Sequence, residues 1–277
     1  MALGMMDAEK ARFRLCWATL CLLLVPPGPA VAEDVAMPPH SAAVCHPADF
    51  RIAIDVGHTE TKSGAVSAHG KPEYEFNLRL ANELLVKLRD AHFTDSAVMI
   101  QTDPDLFKRG RALSSRRPNL MLSLHHDSVQ DKYLKTAELD GQMRTFTEGF
   151  RGYSIFISRD NAYPDDSKTF AKLLGGELIA QGLRPTFHHH EQENRPIFDP
   201  SGVFFYDALV VLRQTTAPAV LLESAVITDP EDEQRANDKA YRNRITDAIV
   251  VAVTKFCDGV AARAQPSPPS EGQGARK

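Results

Sequence analysis

Three apolar runs of strand length divide this sequence: RIAIDV at 51–56, NLMLSLH at 119–125 and PAVLLESAV at 218–226. Runs this short and this apolar read as strands buried on both faces. Helical patterns lie between them. Phe76, Leu80, Leu84 and Leu88, joined by Ala81 and Leu85, give an apolar face over 73–90. Residues 97–101 read as a short strand, 106–116 as a helix, 153–158 as a strand and 167–181 as a helix. A loop of mixed character runs to about residue 152, and a long one carries 188–200. Residues 204–213 fit strand or helix equally. The last helix is well marked, with Asp229 as N-cap, Pro230 at the first position and acidic Glu231, Asp232 and Glu233 in the first turn. Ile245, Ala248, Ile249, Ala252 and Phe256 form its buried stripe. Strand and helix in alternation imply an α/β fold: a single domain with a twisted, mostly parallel (mixed) sheet of about six strands and helices on both faces. Ligands in such folds gather beyond the carboxyl ends of the strands.

The two ends of the chain read differently. Lys10, Arg12 and Arg14 precede an apolar run at 15–25, then Pro26, Pro27 and Pro29, then Ala30-Val31-Ala32. A basic start, a short apolar middle and an Ala-x-Ala end make residues 1–32 a secretory signal peptide, so export to the periplasm or outside the cell is expected. The run is too short for a permanent span, so no stable membrane insertion is expected. Residues 33–48 are an aperiodic lead-in, 49–257 the folded domain, and 258–277 a small, polar, Pro-rich tail expected to be disordered. In an oxidising compartment Cys45 and Cys257, which bracket the patterned sequence, are placed to form a disulfide. The alternative is two unpaired small apolar residues. Losing Lys10, Arg12 and Arg14 against Asp7 and Glu9 takes the formal charge from −4 to −5. A mildly acidic chain with no basic run is a poor nucleic-acid binder.

Polar residues cluster at the strand ends. The first strand runs into Gly57-His58-Thr59, the third into His125-His126-Asp127, and the late strand carries Glu223 among apolar neighbours. A buried carboxylate is costly unless paired, hydrogen-bonded or bound to a cation. Alternation puts Leu120, Leu122 and Leu124 on one face and Met121, Ser123 and His125 on the other. His125 therefore ends the less apolar face, while His126 continues the leucine face or turns away. Two histidines and a carboxylate are the minimal shell of a catalytic zinc with one position open. There is no His-Glu-x-x-His and no Cys-x-x-Cys, which sets a structural zinc site aside.

The order IAIDVGH, then KPEYEFNL, then LSLHHDS, then VLRQTTAPAVLLESAVITDPEDE resembles the zinc-dependent N-acetylmuramoyl-L-alanine amidases of the bacterial cell wall (amidase type 3) over about residues 51–257. The resemblance implies one Zn²⁺ per chain held by His58, Glu73 and His125, with Glu223 as the catalytic general base and acid. Glu73 is chosen over Glu75 because it keeps the family's spacing to Asn77-Leu78. His126 stands at a variable position and is expected to neighbour the substrate groove, and Asp127 replaces the usual Asn. Thr59 and Ser224-Ala225-Val226 also depart from the pattern. Peptidoglycan is the implied substrate, cut between N-acetylmuramic acid and L-alanine. Asp55 either orients His58 or holds its turn, while Arg195 and Arg213 either contact peptide carboxylates or support the fold.

Two other readings stay open: a peptidoglycan binder that has lost turnover, and a zinc peptidase cutting within the stem peptide. Several related amidases carry a blocking helix and need an activator. Its counterpart here would lie within 160–198, although 167–181 is accounted for as an ordinary packed helix. His188, His189 and His190 read as solvent-facing loop residues, with a second metal site as the alternative. The expected assembly is a monomer.

Overall fold

A computed structural model describes residues 45–263. The signal-peptide segment, most of the lead-in and the last part of the tail lie outside these residues. The strands are β1 (Ile52–Val56), β2 (Ala97–Met99), β3 (Leu120–Asp127), β4 (Lys135–Leu139), β5 (Gln142–Phe146), β6 (Ser154–Ile157), β7 (Ile197–Asp199), β8 (Val203–Phe205) and β9 (Ala219–Val226). The α-helices are α1 (Glu73–Asp90), α2 (Leu106–Ser115), α3 (Pro164–Ala180), α4 (Val210–Gln214), α5 (Pro230–Asn237) and α6 (Lys239–Arg263).

Seven strands form one sheet in the order β2-β1-β3-β9-β6-β8-β7, and β4 and β5 make a separate hairpin. β2, β1, β3 and β9 are parallel, β6 runs antiparallel to β9, and β7 antiparallel to β8. The sheet is thus mixed, with one strand more than expected. The ambiguous stretch at 204–213 resolves into both alternatives, the end of β8 and then α4. The hairpin lies where only an irregular loop was expected, because its exposed strands lack an apolar run.

Strand alternation divides the core. Ile52, Ile54 and Val56, Leu120, Leu122 and Leu124, and Val220 and Leu222 pack with Phe76, Leu80, Phe170, Ile249 and Phe256 on the face covered by α1, α3 and α6. The opposite face is smaller, with Ala53, Met121, Leu221, Phe156 and Phe204 packed against Leu113 of α2 and Leu212 of α4. The α5 N-terminus forms as its sequence requires: the Asp229 side chain accepts from the backbone N–H groups of Glu231 and Asp232. The chain then breaks at Asp238 before α6, and α6 continues through residues 258–263, so the start of the expected disordered tail is helical. Cys257 near the end of this helix is bonded to Cys45 and fastens the lead-in to it.

His126 lies on the β3 face that meets α1. It is 2% exposed, tilted against the Phe76 ring, and its Nδ1 donates to Asn77 Oδ1 at 2.8 Å. Burial lowers its pKa to about 3, outweighing the attraction of Glu73.

Two tests follow from these contacts. The disulfide closes a loop spanning 212 residues, so the C45A/C257A protein should lose about 2–5 kcal/mol of stability in chemical denaturation. An unchanged denaturation midpoint would show that the link contributes nothing. His126 stays neutral in the fold but takes a proton near pH 6.5 when unfolded. Its contribution is therefore complete above pH 6.5 and lost as pH falls toward 3. Between about pH 6.5 and 4.5, H126Q should show roughly 2–3 kcal/mol less acid-induced loss than the parent chain, both metal-stripped. Parallel pH profiles would refute this.

Candidate functional site

Beyond the carboxyl ends of β1, β3 and β9 opens a cavity of about 540 Å³ whose lining includes His58, Glu73, His125, Asp127, His189, Arg195 and Glu223. Each of these side chains is fixed by its element. β1 ends in Gly57 and His58, and His58 adopts a left-handed backbone with φ 64°. Such a conformation in a non-glycine residue is strained and persists only where its surroundings hold it. Here the hold comes from below. Asp55 is fully buried and paired with Arg109 of α2 at 2.8 and 2.9 Å, and Ser123 donates to it at 2.7 Å. Arg109 also donates to the backbone carbonyls of Val56 and His58. Asp55 does not touch the His58 ring; it holds the turn through Arg109.

Glu73 is the first residue of α1 and 4% exposed. Its Oε2 lies 2.9 Å from His58 Nε2 and its Oε1 lies 3.0 Å from His125 Nδ1. Ala65 N–H donates to Oε2, while Asn77 Nδ2 and the His126 N–H donate to Oε1. Burial alone would raise the pKa of this carboxyl; hydrogen bonds from His125 and His58 override it and hold the value well below the usual carboxylate range. Gly57 makes room for the cluster, since a Cβ there would sit 2.6 Å from the His125 ring and 2.7 Å from Asn77 Nδ2. The ligand atoms of His58, Glu73 and His125 all lie within 4.8 Å of one another. Two imidazoles and one carboxylate facing open space suit a zinc ion that keeps a position for water.

Glu223 pairs in register with His125 across β3 and β9, so both project from the same sheet face. It is half-buried as a residue, but its Oε2 is enclosed and without a hydrogen-bond partner. Burial raises its pKa well above the ordinary carboxylate value, and the charges of Asp127 and Glu73 add to the shift. An enclosed, unpartnered carboxylate beside a metal-competent cluster is suited to accepting and returning a proton.

His126 edges the cavity, but its imidazole is committed to Asn77 and it serves as a strut of the fold. Arg195 lines the cavity, its guanidinium 4.1 Å from the Tyr206 ring centre and its Nη1 2.5 Å from His189 Nδ1. Arg213 sits in α4, away from the cavity lining. Of the three consecutive histidines expected to face solvent, only His190 does; His188 and His189 are buried against Asp127. A short 3-10 helix at His188–Glu191 turns them inward, which residue spacing in a loop does not reveal. The α3 helix packs on α6 as an ordinary core element, with Phe170 and Leu174 fully buried. Arg109 was missed, although a buried Asp55 calls for a cationic partner. Neighbouring Lys108 and Arg111 gave the sequence no means of choosing among the three.

Residues 52–255 match the sequence profile of the family described as N-acetylmuramoyl-L-alanine amidase. The N-acetylmuramoyl-L-alanine amidase AmiA of Escherichia coli K12 is 24% identical over 235 residues, covering 74% of this chain and 75% of its own length. Among solved structures, the catalytic domain of CwlV, an N-acetylmuramoyl-L-alanine amidase from Bacillus (Paenibacillus) polymyxa var. colistinus, superposes with a TM-score of 0.55 at 25% identity, over 76% of this chain and 98% of that one. Ami1 from Mycobacterium smegmatis shares the fold with a TM-score of 0.61 at 19% identity, over 79% of this chain and all of that one. The profile match spans nearly all of the described fold, and the chain belongs to the N-acetylmuramoyl-L-alanine amidase family of hydrolytic enzymes.

Proposed function

We propose that the protein is an exported zinc-dependent hydrolase that cleaves the amide joining the lactyl group of N-acetylmuramic acid to L-alanine in peptidoglycan. Family membership supports the reaction class, and the signal-peptide pattern of residues 1–32 supports export. Among the described residues no helix is long and apolar enough to cross a membrane. The observation that carries the mechanism is Glu223 Oε2, enclosed and unpartnered beside the His58–Glu73–His125 cluster.

His58, Glu73 and His125 would hold the zinc, and when bound it supplies a Lewis acid and lowers the pKa of a coordinated water. Glu73 arrives ionised, and its three backbone and amide donors keep it from rotating away. Asp55 and Arg109 hold the His58 backbone in place. Glu223 takes the proton of the attacking water and returns it to the departing L-alanine nitrogen, so a single carboxylate serves both half-steps. A cation in the cluster offsets the Glu73 charge that otherwise favours the protonated Glu223. The open cavity admits an extended chain, and Arg195 on its wall offers a cation to a carboxylate of the stem peptide.

E223Q should keep its zinc and its KM while kcat on purified peptidoglycan falls about 10²–10⁴-fold. Full turnover by E223Q would remove Glu223 from the mechanism. A chelator should abolish release of stem peptides and zinc should restore it. Mass spectrometry of the products distinguishes the alternatives: free L-alanine amino termini mark an amidase, internal cuts a peptidase, and no release a binder.

A further inference from the structure

A second cluster of ligand atoms lines the same cavity. His188 Nε2 and His189 Nε2 converge on one oxygen, Asp127 Oδ2, at 3.4 and 2.6 Å. The three residues are 7%, 4% and 7% exposed, and their ligand atoms lie within 4.8 Å of one another. None of them belongs to the His58–Glu73–His125 set. Zinc–ligand bonds of about 2.0–2.1 Å put tetrahedral neighbours about 3.3 Å apart, so one edge already fits and the shorter one must open.

His188 supplies an independent sign of a missing ligand. Its Nδ1 is 3.0 Å from Thr186 Oγ1, while its buried Nε2 has no hydrogen-bond partner and faces a carboxylate. A buried polar atom left in this way is unfavourable unless something occupies the gap. His189 is more guarded. Its Nδ1 faces Arg195 Nη1, and a guanidinium can only donate, so the ring proton sits on Nε2 and points at Asp127. A cation at Nε2 shifts that proton to Nδ1 with no net release. Arg195 must then withdraw, and the Tyr206 ring at 4.1 Å gives its guanidinium a place to rest.

We propose that Asp127, His188 and His189 form a second site for a divalent transition-metal ion, separate from the His58–Glu73–His125 centre, with Arg195 as the cation that competes for it. Two imidazoles and one carboxylate select zinc, cobalt or nickel over magnesium or calcium. The shared cavity gives the ion a way in from solvent. Glu223 stands within the influence of both sites, because Asp127 and Glu73 both act on its charge.

The test is metal stoichiometry of the full-length exported protein after chelator treatment, with Co²⁺ followed by visible absorption and Zn²⁺ by equilibrium dialysis. Two ions per chain are expected. H58A should lose one, H188A/H189A should lose the other, and D127N, which keeps the side-chain size, should weaken the second by roughly ten- to a hundredfold. R195A should tighten the second site by about tenfold, since it removes the repulsion of a neighbouring cation. One ion per chain in the parent, unaffected by H188A/H189A and by D127N, would overturn the proposal and leave Arg195, His189 and Asp127 as a hydrogen-bonded chain. One ion that survives H58A and is lost in D127N would instead uphold it and refute the His58 centre. Circular dichroism of each variant separates lost binding from lost folding.

Discussion

A carboxylate that is 4% exposed needs partners, and Glu73 draws them from β1, β3, α1 and the loop before it. Ala65 reaches it from the loop before α1, Asn77 from the next turn of that helix, His126 from the β3 backbone, and His58 and His125 from the ends of β1 and β3. Leaving any of these out would expose a buried charge to an environment that cannot solvate it. The cluster is thereby pre-organised before any ion arrives. The carboxylate cannot turn without releasing donors on three sides, and His58 cannot leave its left-handed conformation without breaking the Arg109 contact to its carbonyl.

The same device recurs at the start of α5. Asp232 is fully buried and accepts from the N–H groups of Gly152 and Val226, tying the loop before β6 to the end of β9. Asp229 caps α5 while pairing with Arg151 and accepting from Gly149 N–H. Glu233 accepts from Ser67 and His69 in the loop that leads to α1. Three acidic residues of one helix start thus pin two loops, the one between β5 and β6 and the one before α1, to the end of β9. What looked in the sequence like electrostatic complement to a helix terminus also works as a set of backbone clamps. A rigid frame of this kind is what a site needs when its geometry must hold within fractions of an ångström.

The parts legible in the sequence were those governed by local period or by short motifs. Alternation along LMLSLHH set His125 on the face opposite the leucines and left His126 to continue the leucine face or turn away; in the structure His126 continues it, and the register pairing of His125 with Glu223 brings those two together. The N-cap at Asp229 and the stripe from Ile245 to Phe256 formed where local chemistry required. What the sequence hid depends on tertiary placement. The β4–β5 hairpin lacks an apolar run because it packs little against the core. Choosing Arg109 from three nearby cations requires knowing which side of α2 meets the sheet. The burial of His188 and His189 depends on Asp127, 61 and 62 positions away in the chain, so no local pattern could announce it.

Strand geometry explains why two clusters can share one cavity without merging. His125 and Asp127 are two residues apart on β3, so they project from the same face about 6.5 Å apart along the strand, with His126 between them facing α1. The register with β9 shifts between these two positions, from His125 opposite Glu223 to Asp127 opposite Val226, so β9 contributes an extra residue there. Glu223, the one carboxylate of β9, stands beside both clusters. Positive charge gathered at either cluster weakens the repulsion that Asp127 or Glu73 exerts on Glu223. The two clusters are therefore linked through the side chain proposed to handle the proton, although they share no residue.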